Sequence, residues 1–304
     1  MNIQLHRAAP LALATLLALP FSASALVGGA GVAANTAASP WAGVGSLNVG
    51  GSLFTGTLIA PGYVLTAAHV VAGAAAGNVT FQLNAGSSYT LAASDIYINP
   101  DYTSSTAGNV AGDPTNHNDL AIIKLSGAAA AGVPFYNLYS ANLQGADLNF
   151  VSYAGSSTVK KTGENMADLL FTNAAGSNQT YMFDFDGPNP STNVMGGGTL
   201  GANREASLVG GDSGSAAFVS VNGQWQLAGI NTFEATFAGG PTTPGAYGTG
   251  GGGVVLAGYS TWINSVITAP VPEPENAPLL LVGLALLAGV AKRKPGQPSV
   301  TSLS

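Results

Sequence analysis

The chain has 304 residues, 46% of them apolar, with 42 glycines and no cysteine. That is enough material for one two-part domain or two small ones, held together without disulfides. Its formal net charge is −6, and between residues 26 and 270 four basic residues stand against twelve acidic ones with no charge run, which excludes the basic face a nucleic-acid partner needs.

The first 25 residues read as an address. Arg7 precedes an apolar run, Leu11–Leu19, and then Ala23-Ser24-Ala25, the layout of a secretory signal peptide with an A-x-A cleavage site. The run is too short for a retained membrane span. Leu26-Val27-Gly28-Gly29 follows directly on that site.

From Pro40 onward short apolar or alternating stretches are separated by glycine-rich turns, the pattern of an all-β barrel. Strands are expected at Val44–Val49, Leu53–Ile59, Tyr63–Ala68, Val79–Leu83, Asp95–Asn99 and Leu120–Leu125. Loops are expected at Ala72–Gly77 and Thr103–Thr115, and Gly127–Gly132 reads as an alanine-rich linker. The second half repeats the pattern at Leu148–Tyr153, Gln179–Phe185, Ala216–Val221, Trp225–Ile230 and Gly253–Leu256. Apolar residues at helical spacing in Tyr259–Val266 predict a short closing helix.

The chemistry concentrates at Val209-Gly210-Gly211-Asp212-Ser213-Gly214-Ser215. A serine between glycines sits on a turn where the backbone can approach a substrate carbonyl, but its hydroxyl needs a base and a group to orient that base. Thr66-Ala67-Ala68-His69 and Asn118-Asp119-Leu120-Ala121-Ile122-Ile123 supply both. Of the other histidines, His6 leaves with the signal peptide, and His117 reads as a solvated loop residue. Asp113 is the fallback for Asp119. Asp184-Phe185-Asp186-Gly187-Pro188-Asn189 has the oxygen-rich look of part of a calcium loop, but it lacks the later bidentate Glu. It reads as an acidic turn, and no metal or cofactor is expected.

The motifs TAAH, NDLAIIKL and GDSGS, in that order, resemble those of trypsin/chymotrypsin-type serine peptidases, in which the triad runs His, Asp, Ser. The resemblance implies two six-stranded antiparallel β-barrels with a short C-terminal helix, and a site in the cleft between them. His69, Asp119 and Ser213 would be the triad, and the N–H groups of Gly211 and Ser213 the oxyanion hole. It also implies that a new amino group at Leu26 folds inward to pair with Asp212. If signal peptidase cuts after Ala25, that cut itself makes this terminus. Ser207 would lie at the base of the substrate pocket, with Thr232, Phe233, Glu234 and Gly245 in its wall. A neutral Ser207 favours apolar or aromatic substrate side chains, while Glu234, standing where the family usually has glycine, would narrow the pocket or attract a basic group. Many relatives carry disulfides, and this chain departs from them.

At the other end, Val271-Pro272-Glu273-Pro274-Glu275 precedes an apolar run at 277–291 and then Lys292-Arg293-Lys294. This resembles a PEP-CTERM sorting signal, with the basic cluster on the cytoplasmic side, and the alternative is a simple membrane anchor. The expected organisation is a signal peptide at 1–25 and a peptidase domain at 26–270. Within that domain, barrel one covers about 40–126, barrel two about 133–258 and the helix 259–267. A sorting tail with a short span follows at 271–304. The implied partners are protein or peptide substrates, signal peptidase and an exosortase-like sorting enzyme, with transient membrane association. The implied location is the periplasm, cell surface or extracellular matrix of a Gram-negative bacterium. A competing expectation is an inactive surface or matrix binding protein on the same scaffold. All of His69, Asp119, Gly211 and Ser213 are present, which favours the enzyme.

Overall fold

The structure, a computed structural model, describes residues 26–29, 31–103, 118–173, 175–201 and 203–269. The signal segment, the sorting tail, and the Asp113 and His117 alternatives therefore lie outside the described residues. Among those described, no helix is long and apolar enough to cross a membrane. Among the described residues the domain extends to Ile267.

Two short strands, β1 (Val27–Gly28) and β2 (Gly31–Ala33), precede the first barrel. That barrel comprises β3 (Val44–Val49), β4 (Ser52–Ala60), β5 (Tyr63–Thr66), β6 (Val79–Asn84), β7 (Ser88–Ile98) and β8 (Ala121–Leu125). It closes in the order β3-β4-β5-β8-β7-β6. Alternation places Val79, Phe81 and Leu83 inward on β6. β8 is buried almost throughout because it pairs with both β5 and β7, which explains the unbroken apolar run Leu120–Ile123. Burying each such side chain stabilises by roughly 1.5–3 kcal/mol.

The second half contributes β9 (Asp147–Ser152), β10 (Lys160–Met166), β11 (Leu169–Thr172), β12 (Asn178–Asp184), β13 (Ala206–Ser207), β14 (Ala216–Val221), β15 (Gln224–Ala235) and β16 (Gly250–Val255). Their sheet is antiparallel and eight-stranded, in the order β11-β12-β16-β15-β14-β9-β10-β2, so the N-terminal β2 completes one edge. β13 pairs instead with β1. The all-β, two-part architecture is that of the expected fold, with one barrel closed by hydrogen bonds and the other half carrying more strands than six. The helix α2 (Ser260–Ile267) ends the domain, burying Ile263.

Several elements escaped the periodicity. β10 reads Lys-Lys-Thr-Gly-Glu-Asn-Met and has no apolar alternation, yet its six-residue register with β9 is continuous. β7 begins seven residues earlier than expected because its first half lies on a solvated surface. β1 and β13 are two residues each and carry no period at all.

The halves are joined by aromatics. Trp41 packs against Phe218 and Trp225, with ring centres 4.9 and 4.7 Å apart, and Tyr136 meets Phe218 at 4.6 Å. Beside them Lys160 is fully buried, its Nζ donating to the Trp41 carbonyl at 2.8 Å. Burial pushes that ammonium down to about 8, because desolvation disfavours the charged form.

Candidate active site

His69 lies in α1 (Ala68–Val71), a single turn that starts two residues after β5 ends. Asp119 immediately precedes β8, the strand hydrogen-bonded to β5, so barrel closure brings the two together. The Asp119 carboxylate accepts from the His69 backbone N–H at 2.8 Å and from Nδ1 at 2.6 Å. It is 7% exposed. Because an ionised carboxylate only accepts, Nδ1 carries the ring proton and Nε2 is left with its lone pair. Nε2 lies 2.7 Å from Ser213 Oγ, positioned to receive the hydroxyl proton. Asn118 braces this corner in a left-handed conformation (φ 42°), accepting from Tyr259 O–H at 2.7 Å and donating to the Asp101 carbonyl at 3.0 Å.

Ser213 is carried by the turn between β13 and β14. The Asp212 N–H donates to the Val209 carbonyl, Ser215 N–H to that of Asp212, and Gly214 N–H to that of Asn231, at 2.9–3.0 Å. Thr55 N–H in the first barrel donates to the Ser213 carbonyl at 3.3 Å, tying the turn across the junction. Gly214 has φ 80°, and a side chain there would collide with Thr66 Oγ1 and the Thr55 carbonyl. Only glycine fits. Gly211, at φ 98°, lets the backbone turn so that the N–H groups of Gly211 and Ser213 donate to no protein acceptor among the described residues. Two free, adjacent N–H groups beside a nucleophile can receive a developing oxyanion.

Asp212 is 1% exposed and held from three sides. Its oxygens accept from Val209 N–H at 2.8 Å and from the Leu26 nitrogen at 3.2 and 3.4 Å. The Ser152 hydroxyl, itself 3.3 Å from Thr55 Oγ1, adds a third contact. Burial nevertheless raises its pKa to about 6. Leu26 is itself buried, with φ 35°, so the segment enters the protein at this point.

Beside Ser213 opens a cavity of about 320 Å³, lined by residues 208–210, 212, 213 and 231–234. Of the residues named for the substrate pocket, Thr232, Phe233 and Glu234 line this cavity, and Ser207 and Gly245 do not. Ser207 is fully buried and paired with Val27, its Oγ without a partner, and the following Leu208 takes its place at the cavity. Gly245 packs instead toward Val27 and Val209. Gly251 lies opposite Glu234 in the β15–β16 ladder. A side chain at Gly251 would meet Leu208, Phe183 and the Phe233 carbonyl at 3.0 Å. The glycine run before Val254 made that register unreadable from residue type.

Other supporting residues were missed. Tyr181 O–H donates to Asn231 Oδ1 at 2.6 Å and Asn231 Nδ2 to Ser215 Oγ at 2.9 Å, a buried chain behind the nucleophile turn. No sequence signal marks a lone Tyr or Asn for such a role. The acidic turn is more buried than expected. Asp168, Asp184, Asp186 and Glu205 are all nearly inaccessible. Glu205 accepts from the Asp186 and Leu200 N–H groups and the Thr199 hydroxyl at 2.6–2.9 Å, and Asp184 from Met195 N–H at 2.7 Å. Burial and mutual repulsion raise Asp168 to about 7 and Asp186 to about 6. No three acidic or imidazole side chains converge as metal ligands among the described residues.

An all-β scaffold in which a serine, a histidine and an aspartate meet in one hydrogen-bonded line defines a peptidase-like class of protein. The sequence matches the family model for trypsin over residues 27–249, and the chain belongs to the trypsin family. No curated protein matches it.

Proposed function

We propose that the protein is an exported serine endopeptidase that cleaves peptide bonds through an acyl-enzyme. The observation that carries this reading is the unbroken line Asp119–His69–Ser213, with contacts of 2.6 and 2.7 Å. Ser213 Oγ attacks the scissile carbonyl while His69 Nε2 takes its proton. Asp119 holds the ring in the tautomer this requires and stabilises the imidazolium. The tetrahedral oxyanion forms against the N–H groups of Gly211 and Ser213. His69 then returns the proton to the leaving amine, the amine departs with an acyl-serine left behind, and water repeats the sequence to release the acid. An inactive binding protein has no need of a free oxyanion pair beside an aligned triad, and nothing else in the site favours that alternative.

Activation follows from Leu26. In the chain as it stands its nitrogen is an amide that already points at Asp212. Cleavage after Ala25 turns that amide into an ammonium, which satisfies the buried carboxylate. Signal peptidase would thus finish the enzyme without a separate activating cut. The tail from Pro272 to Lys294 would then direct processing by an exosortase-like enzyme at the cell envelope, leaving the domain at the surface, in the periplasm or in the matrix. The mass of the mature protein tests this part: a product running from Leu26 to near Pro274 supports it, and an intact tail contradicts it.

A pre-steady-state burst tests the chemistry. A p-nitrophenyl ester mixed with mature protein is expected to release about one equivalent of nitrophenol per Ser213 before the slower steady state. The burst should vanish in Ser213→Ala and in His69→Ala. A linear time course with no burst and no turnover would sink the reading.

A further inference from the structure

Asn231 holds the two residues that follow Ser213 at three points. Its carbonyl accepts from Gly214 N–H at 2.9 Å, its N–H donates to the Ser215 carbonyl at 2.8 Å, and its Nδ2 donates to Ser215 Oγ at 2.9 Å. The two backbone bonds are available to any residue at this position, but the third needs an amide aimed at Ser215. Regular pairing stops here as well, because the β15–β16 ladder slips between Asn231 and Phe233. The contacts to the nucleophile turn therefore fall on the residue that strand pairing pins least.

Tyr181 fixes that amide. Its hydroxyl donates to Asn231 Oδ1 at 2.6 Å, which leaves Nδ2 directed at Ser215. Burial pushes the phenol well above its usual range, so it stays a donor. Tyr181, Asn231 and Ser215 are all fully buried, and bulk water cannot replace a lost partner. The sheet makes room for this reach. Tyr181 on β12 and Asn231 on β15 both pair with Gly253 of β16, so the tyrosine has to cross a strand. It does so over a glycine, since a side chain at Gly229 would collide with its ring.

We propose that Tyr181 and Asn231 are positioning residues for the peptidase reaction, a buried brace that holds the Ser213 turn through Ser215. The proposal rests on the peptidase reading above and adds to it two residues outside the Asp119–His69–Ser213 line. Without the Tyr181 donor the Asn231 oxygen is buried and unpaired, and the amide turns away from Ser215. The Gly214–Ser215 segment then drifts, and the 2.7 Å approach of Ser213 Oγ to His69 Nε2 lengthens. A misplaced nucleophile slows the chemical step and leaves ground-state binding alone.

The test is a double-variant cycle on mature protein with its N-terminus at Leu26: Tyr181→Phe, Ser215→Ala and the two together. Active sites are counted by fluorophosphonate labelling, and kcat, KM on one cleaved fluorogenic peptide and the thermal midpoint are measured for each. Each single variant is expected to lower kcat per labelled site by about three- to tenfold, with KM within about twofold. The double variant should lose no more than the worse single one, because both ends act through the same amide. Asn231→Val, which cuts the brace in the middle, should lose about tenfold to a hundredfold in kcat, and the cycle decides the matter should that variant not fold. Losses that multiply in the double variant would overturn the brace. So would single variants whose kcat per labelled site stays at the wild-type value while the thermal midpoint falls, the mark of packing alone. A loss confined to KM would overturn it too. Wild type that neither labels nor cleaves is a distinct result, which overturns the peptidase reading and the brace with it.

Discussion

Asp119 does two jobs with two oxygens, one on the His69 ring and one on the His69 backbone. That separates orientation from charge. Asp119→Asn can keep the backbone contact but favours the wrong imidazole tautomer, so kcat should fall by about 10⁴-fold with little change in KM. Steady-state kinetics on any cleaved peptide checks it, and a loss confined to KM would contradict the assigned role. Gly214 is the complementary case, since any side chain collides with Thr66 and the Thr55 carbonyl. Gly214→Ala should lower stability by about 1–3 kcal/mol, through overpacking and a left-handed backbone, read as a lower denaturation midpoint. Both of these residues could be found from sequence because their chemistry is carried by residue type and order. Ser152, Thr55 and Asn231 could not, because their roles depend only on which strands adjoin.

At the scale of elements, the buried acids behind β12 make stability depend on pH. Asp168 and Asp186 have folded pKa values near 7 and 6, above the unfolded value of about 3.9. The folded state therefore binds more protons. The stability these groups contribute is fully present below about pH 4 and is lost as pH rises through 6 to 7. Lys160 titrates near 8 and acts in the opposite sense, so it leaves this window clear. The melting temperature should fall between pH 5 and pH 7.5, on the order of 5 °C, and Asp168→Asn should flatten that slope. A steeper slope in the variant would contradict the assignment. Strand legibility divides in the same physical way. β3, β6, β8, β9 and β14 bury one or both faces and show it in their alternation or apolar runs. β10 does not, because its buried positions are Lys160, Gly163 and Asn165, and neither does β11, which buries no residue fully. The surroundings of Ser207 were unreadable for a related reason: β13 is held by backbone pairing to β1, a partner 180 residues away in sequence that no local pattern reveals.

For the whole molecule, the Leu26 segment and the candidate active site are one hydrogen-bonded system. Leu26 reaches Asp212, Asp212 shapes the Gly211–Ser213 turn, and Thr55 locks that turn to the first barrel. An extra residue ahead of Leu26, or acetylation of its amino group, should leave the fold intact but lower kcat/KM by about 10²–10³-fold, the kinetic equivalent of an unpaired buried carboxylate. Full activity in such a variant would break the link. The domain and its centre were legible from three short motifs, whereas the pocket needed the strand register.

The claim on which the rest depends is that Ser213 is an activated nucleophile. The most direct measurement is reaction of the Leu26-started protein with a fluorophosphonate, followed by peptide mapping, with Ser213→Ala as control. Stoichiometric labelling at Ser213 that is lost in the variant is the predicted result. An unlabelled Ser213 in folded protein with a verified Leu26 terminus would contradict the account.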